Sequence, residues 1–222
     1  MYQYIKRFFD FILALLVVII LTPLLIPLII GLKLTGEGHI FYSQKRIGYK
    51  RKYFNIWKFA TMLKDSPNIG TGSITLRNDP RITPMGGFLR KTKLNELPQV
   101  FNVLKGDVSI VGPRPLVDKT FNAYSKEVQE VIYNVKPGIT GIGSIVFRDE
   151  EGLFEQKTEG QDPHEFYKKI IAPYKGALEI WYQKNQSFYT DFMIIFLTAW
   201  VILFSKSELH YKVFKDLPKR NF

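Results

Sequence analysis

The chain has 222 residues, with 31 Lys and Arg against 20 Asp and Glu, for a formal charge of +11 at neutral pH. A 46% hydrophobic and 15% aromatic content excludes an intrinsically disordered polycation. The absence of cysteine excludes a disulfide framework, a zinc ribbon and a thiol nucleophile, and His39, His164 and His210 are too scattered for a histidine-built metal cage.

The near-neutral mean hydropathy conceals a split between one extremely apolar segment and a strongly basic remainder. From Phe11 to Leu32 twenty-two residues carry no charge. At about 1.5 Å per residue, a straight helix of that length crosses a bilayer core of about 30 Å. Apolar residues on every face argue against a buried soluble helix, and LKLTGEGHIFY after the segment is no signal-peptide cleavage site. Pro23 and Pro27 interrupt the segment, each removing a backbone donor. Thr22 can place its hydroxyl near the freed carbonyls, a way such breaks are tolerated in lipid. Lys6 and Arg7 precede the segment; Lys33, Lys45, Arg46, Lys50, Arg51 and Lys52 follow it. Basic flanks stay on the cytoplasmic side. A helix that breaks at Thr22 and Pro23 and returns satisfies both ends, whereas a single-pass span, the alternative, satisfies one. The expected architecture is therefore a re-entrant anchor over residues 1–35 and a cytoplasmic globular domain over 36–222. Residues 1–58 carry a net +7, and each cation beside such an anchor is worth about 1 kcal/mol near anionic lipid.

Beyond the anchor, HIFYSQKRIG and KYFNIWKF alternate apolar and polar residues around a turn at Gly48, Tyr49 and Lys50, which predicts short strands. Residues 66–84 are rich in Gly, Pro, Ser, Thr and Asn and read as a loop long enough to suggest function. Apolar spacing from Phe88 to Leu104 predicts one or two helices, interrupted near Pro98 and ending at Gly106. VSIVGPRPL (108–116) reads as a strand entering a proline-bounded turn, and EVQEVIYNV (127–135) as a helix stopped by Pro137 and Gly138. Residues 161–185 are predicted helical. The thirteen uncharged residues 192–204 are too short to cross a bilayer comfortably. With Trp181, Tyr182, Tyr189 and Trp200, they suit an interfacial helix or a core helix equally. The fold class is α+β, mostly helical with short strands.

No GxxxxGK[ST] is present, and GITGIGS (138–144) lacks the full GxGxxG spacing, so its glycines read as a turn. Arg46, Arg77, Arg81, Arg90 and Arg114 lie beside turn-forming residues. The planar guanidinium matches phosphate oxygens in pairs, so several around one pocket suit a diphosphate. In GPRP the prolines stiffen the backbone around Arg114. The nearest carboxylates are Asp79, Glu96 and Asp107. Basic charge with interleaved aromatics also suits nucleic acid, yet no nucleic-acid motif appears and the anchor gives the charge another use.

The order of motifs is distinctive: an apolar anchor with Thr22-Pro23, FYSQKRIG (41–48), WKFATM (57–62) carrying Lys58, the block RNDPRITPMGGFLRKTKLNELPQVFNVLKGDVSIVGPRP (77–115), and KPGITGIG (136–143). The chain resembles the bacterial sugar transferases, the monotopic phosphoglycosyl transferases, from about residue 3 to about 204. The resemblance implies a re-entrant membrane helix at the cytoplasmic face of the bacterial inner membrane. It implies transfer of a sugar-1-phosphate from a nucleoside diphosphate sugar, a UDP-sugar by expectation, to undecaprenyl phosphate, which initiates polysaccharide or glycoconjugate assembly. It further implies Mg²⁺ and an adjacent Asp-Glu pair whose Asp attacks the sugar-bearing phosphate. Downstream glycosyltransferases are implied partners, and nucleic acid is not.

Carried over by position, Glu96 is the catalytic carboxylate or metal ligand, and Arg90, Arg114, Arg77, Arg81, Arg46 and Lys58 are substrate-binding. Asn95 stands where the family has its nucleophilic Asp, and Ala60 where WKFATM usually has a basic residue. The segment after KPGITG brings in Asp149, Glu150 and Glu151, which are candidates to compensate. A non-catalytic scaffold that holds nucleotide sugar or a partner glycosyltransferase is the alternative.

Overall fold

A computed structural model describes residues 1–69, 79–150, 152–153 and 163–222. The chain is mostly helical with four short strands among those residues, in agreement with the expected fold class. It forms two compact units: one comprises Met1–Arg7, Arg46–Phe54 and Asp107–Phe222, the other Phe8–Lys45 and Asn55–Gly106.

The N-terminal helix α1 (Tyr2–Leu34) runs helically through Pro23 and Pro27. Thr22 Oγ1 donates to the Val18 carbonyl at 2.6 Å, the side-chain rescue expected beside a helical proline. Most of its apolar side chains are exposed, including Ile20 at 69% and Leu24 at 52%. Ala14, Leu28 and Leu32 are buried, the two leucines with Phe59 and Leu89 in the core of the second unit.

Strands β1 (Phe41–Ile47) and β2 (Tyr53–Phe59) pair as a two-stranded sheet. The link is a tight turn in which Lys50 and Arg51 take φ of 52° and 59°, with Gly48 N–H donating to the Lys52 carbonyl at 2.9 Å. The predicted helical stretch resolves into α2 (Pro84–Thr92) and α3 (Gln99–Lys105). Pro84 opens α2 at a position where its missing N–H costs nothing, and Gly106 closes α3 at φ 95°, the left-handed conformation that glycine adopts without strain.

In the first unit, β3 (Ser109–Val111) lies parallel to β4 (Gly138–Thr140), with Ser109 opposite Gly138 and Val111 opposite Thr140. The first three residues of GITGIGS (138–144), read above as a turn, therefore form a strand. Helices α4 (Asp118–Phe121), α5 (Lys126–Val131) and α6 (Ile142–Val146) follow. A helical run starts as α7 (Pro163–Phe166), passes through a π-helical stretch at Tyr167–Ile171 and continues as α8 (Ala172–Lys184). Then come α9 (Phe188–Leu203) and α10 (Leu209–Val213). The large core of this unit holds Val111, Tyr133, Ile142, Leu178, Tyr182, Ile194 and Leu197 among others.

Helix α9 has two faces: Ile194, Leu197 and Val201 are buried in the core, while Phe192, Ile195, Phe196, Ile202 and Leu203 are exposed. Trp181 and Tyr182 are core residues, and Tyr189 is exposed. The start of α9 is bound to the start of α1 by Asp191, which accepts from Tyr2 Oη at 2.6 Å, from Tyr182 Oη at 2.8 Å and from the Lys6 ammonium.

Removing one partner of such a buried charge leaves the other uncompensated and costs about 3–5 kcal/mol. Asp191→Ala is expected to lower the thermal unfolding temperature in detergent clearly, and Phe192→Ala, on the exposed face, to leave it nearly unchanged.

Candidate active site

In the second unit, β2 carries Lys58, and the side chain of Asn102 on α3 holds that strand as a neighbouring strand would. The Trp57 N–H donates to Asn102 Oδ1 at 3.0 Å, and Asn102 Nδ2 donates to the Asn55 carbonyl at 2.8 Å. An amide side chain supplies a donor and an acceptor at once, so it can complete a ladder that lacks a strand. Just past β2 the chain docks onto α2: the Thr83 N–H donates to the Thr61 carbonyl at 3.0 Å. A Cβ on Gly86 would stand 2.1 Å from the Thr61 oxygen, so only glycine permits that approach. Thr83 also caps α2, its Oγ1 accepting from the Gly86 N–H at 3.1 Å.

Helix α2 presents half-buried Arg90 and stops at Lys93, which takes φ 62°. The chain then makes a 3₁₀ turn, Leu94–Glu96. Lys58 Nζ donates to Glu96 Oε1 at 2.7 Å, with both side chains mostly buried. Asn95 beside it is 6% exposed, and its Oδ1 has no hydrogen-bond partner among the described residues. An unpaired buried amide oxygen costs about 1–3 kcal/mol, a feature more typical of a functional position than of a packing one.

Arg81 is placed differently from a phosphate ligand. Its guanidinium forms a two-point pair with Asp79 through Nε (2.8 Å) and Nη2 (2.5 Å), and Nη1 donates to the Ser66 and Ile69 carbonyls at 2.9 Å each. At 3% exposure, Arg81 organises the loop approaching α2. Arg77 and Glu151 lie outside the described residues.

In the first unit, the turn after β3 carries Arg114, and Arg46 Nη1 donates to the Pro115 carbonyl at 3.2 Å. Arg46 thus supports the GPRP turn from β1. Of the acidic run, Glu150 pairs with Lys175 Nζ at 2.7 and 2.8 Å, while Lys175 lies 4.8 Å from the Phe147 ring centre. Asp149 Oδ1 accepts from the Gly152 N–H at 3.1 Å.

Two residues of this unit escaped the sequence reading. Glu179 on α8 is buried at 4% exposure, accepts from the Arg114 backbone N–H, and has an Oε2 without a partner among the described residues. Burial pushes its carboxyl up to about 7, against the opposing influences of Lys175 and the Arg114 N–H. Tyr133, also buried, accepts from the Leu116 N–H and donates to the Arg114 carbonyl, both at 2.9 Å. The available signal was weak: Glu179 stands four residues after Lys175 on one helix face, a spacing common to solvated pairs.

Among the described residues no three acidic or histidine side chains gather as a metal cage. Mg²⁺ does not need one, because it usually takes one or two carboxylates together with substrate phosphates and waters. Glu96, beside the Lys58 cation, fits that incomplete donor set.

The chain matches the bacterial sugar transferase family over residues 1–205 and belongs to it. It is 33% identical over 216 residues to the undecaprenyl-phosphate galactose phosphotransferase of Salmonella typhimurium, an alignment covering 90% of this chain and 41% of that protein. The undecaprenyl-phosphate glucose phosphotransferase of Komagataeibacter xylinus is 32% identical over 214 residues, 91% of this chain and 36% of that one. The exopolysaccharide production protein ExoY of Sinorhizobium fredii is 31% identical over 218 residues, 91% of this chain and 87% of that one. The chain thus spans about two fifths of the first two relatives and most of the third.

The raised Glu179 pKa sets a pH dependence. The folded protein holds the proton from pH 4.5 to about 7, whereas the unfolded chain releases it near 4.5. Stability from this group is full below pH 4.5 and is lost as pH rises through 7, by ~3 kcal/mol at 1.36 kcal/mol per pH unit. Glu179→Gln is expected to match the wild type in thermal unfolding near pH 4.5 and to exceed it at pH 8.

Proposed function

We propose that this protein transfers a sugar-1-phosphate from a nucleoside diphosphate sugar to undecaprenyl phosphate at the cytoplasmic face of the inner membrane. The observation that carries this reading is the Lys58–Glu96 ion pair beside buried Asn95, in a chain whose relatives bear the names of undecaprenyl-phosphate sugar phosphotransferases. A re-entrant α1, turning about Thr22 and Pro23 with its helical backbone continuous, is the anchor of this reading, and the basic residues that follow it, Lys33, Lys50 and Lys52 among them, face anionic headgroups. By position in the family pattern Arg90 and Arg114 are the diphosphate ligands, and Lys58 orients Glu96 through their ion pair. Glu96 together with the substrate phosphates would hold Mg²⁺, which when bound neutralises phosphate charge.

Asn95 determines the route. A neutral carboxamide is a poor nucleophile, so the covalent enzyme intermediate expected of an Asp at this position is replaced by direct transfer. An oxygen of undecaprenyl phosphate bonds to the sugar-bearing phosphorus, the bond to the bridging oxygen breaks, and the nucleoside monophosphate leaves with that oxygen and its electron pair. The scaffold alternative draws on the same residue, since a buried neutral group in place of a nucleophile also suits binding without turnover.

UMP release from a panel of UDP-sugars, with undecaprenyl phosphate in nanodiscs, is the expected outcome. Its absence across all nucleotide sugars, from folded membrane-bound protein, would refute the enzyme reading in favour of the scaffold. Glu96→Gln is expected to lower turnover at least a hundredfold, the scale of losing an electrostatic or acid–base group; indifference supports the scaffold. Intact-mass measurement during turnover should show no phosphosugar adduct on the native chain and an adduct on Asn95→Asp.

A further inference from the structure

The GPRP turn is held in an unusual way. Residues 114–116 have five backbone polar groups, because Pro115 has no N–H, and all five are engaged. The Arg114 N–H goes to Glu179 and the Arg114 carbonyl accepts from Tyr133. The Pro115 carbonyl accepts from Arg46, the Leu116 N–H donates to Tyr133, and the Leu116 carbonyl accepts from the Ile47 N–H at 2.9 Å. Side chains supply four of these five partners. Both sides of Arg114's own peptide geometry are therefore set by two buried side chains distant in sequence, one in the turn after α5 and one on α8.

We propose that Tyr133 and Glu179 are positioning residues: they fix the backbone of Arg114 so that its guanidinium is aimed at the diphosphate of the nucleotide sugar before substrate arrives. Neither is offered as touching substrate, and the inference rests on the reading of Arg114 as a diphosphate ligand. Tyr133 is suited to the task. Its ring is stacked on Phe121, with centres 5.9 Å apart and planes at 19°, and its own carbonyl accepts from the Lys50 N–H at 2.8 Å. A phenol so fixed bridges the N–H and carbonyl two residues apart without freedom to follow a shifting loop. Glu179, on rigid α8, offers the complementary acceptor. Burial raises the Tyr133 hydroxyl well above its ordinary range, so it remains a donor at every working pH. Preorganisation of this kind favours binding by removing the need to order a flexible arginine on association.

The test uses the full chain in nanodiscs, with Tyr133→Phe, Glu179→Met and Glu179→Gln. Phe and Met retain bulk but lose the contacts to the turn, whereas Gln keeps an acceptor for the Arg114 N–H. Hydrogen exchange of peptides covering residues 112–117 should speed up about tenfold in Tyr133→Phe and Glu179→Met, as one lost hydrogen bond implies. The KM for the UDP-sugar should rise about tenfold with the KM for undecaprenyl phosphate unchanged, and Glu179→Gln should restore both readouts. A merely structural role would reduce the active fraction and leave both KM values in place. Should Glu179→Met not fold, Tyr133→Phe carries the test alone. Unchanged exchange, or faster exchange with an unchanged UDP-sugar KM, overturns the proposal. If the wild type shows no turnover, UDP affinity replaces KM: failure of the enzyme reading then leaves the clamp standing or falling on exchange and affinity.

Discussion

The first unit depends on two backbones approaching more closely than a side chain would allow. A Cβ on Gly112 would lie 2.4 Å from the Lys136 carbonyl, one on Gly138 2.1 Å from the Gly112 nitrogen, and one on Gly141 2.2 Å from the Gly112 oxygen. Their absence lets Gly112 N–H donate to the Thr140 carbonyl and Gly138 N–H to the Pro113 carbonyl, both at 2.9 Å. Any other residue at the crossing would force β3 and β4 apart. Because the GPRP turn leaves the crossing directly, the direction of Arg114 begins there. Tyr133, Glu179 and Arg46 then complete it from three other segments.

The second unit reaches the same end by different means. Here Asn102 substitutes for a missing strand along β2, and Gly86 lets α2 rest on the Thr61 carbonyl. Both contacts converge on the strand that bears Lys58. The ion pair with Glu96 is thus prepared by backbone geometry on the lysine side and by the left-handed stop at Lys93 on the glutamate side. Arg81, which composition placed among the phosphate ligands, belongs to this supporting layer through its pairing with Asp79.

Local signals made much of the architecture legible. Alternation marked β1 and β2, the apolar spacing around Pro98 marked α2 and α3, and the uncharged stretch before Lys33 marked α1. The glycines of KPGITGIG were visible but read as a turn, since close backbone approach between segments far apart in the chain leaves no local pattern. Glu179 was passed over for a related reason: a glutamate four residues after a lysine looks solvated until the neighbours that bury it are known. Arg46 and Arg81 carried the right chemistry for phosphate, and only their partners reveal that one supports a turn and the other a loop.

The sequence by itself determined the family, the apolar N-terminal segment and the amide-beside-acid pair Asn95 and Glu96, because each is written in residue identity and order. Tertiary structure alone decided which of the 31 Lys and Arg residues are committed within the fold and which acids are shielded from water. Charge counts sum over the chain, whereas pairing and desolvation depend on distance. Glu150 has its cation in Lys175, Glu96 has Lys58, and Glu179 is buried with its carboxyl pushed up to about 7. The excess of basic residues that first described this protein is therefore divided by packing into cations paired within the fold and cations that face outward.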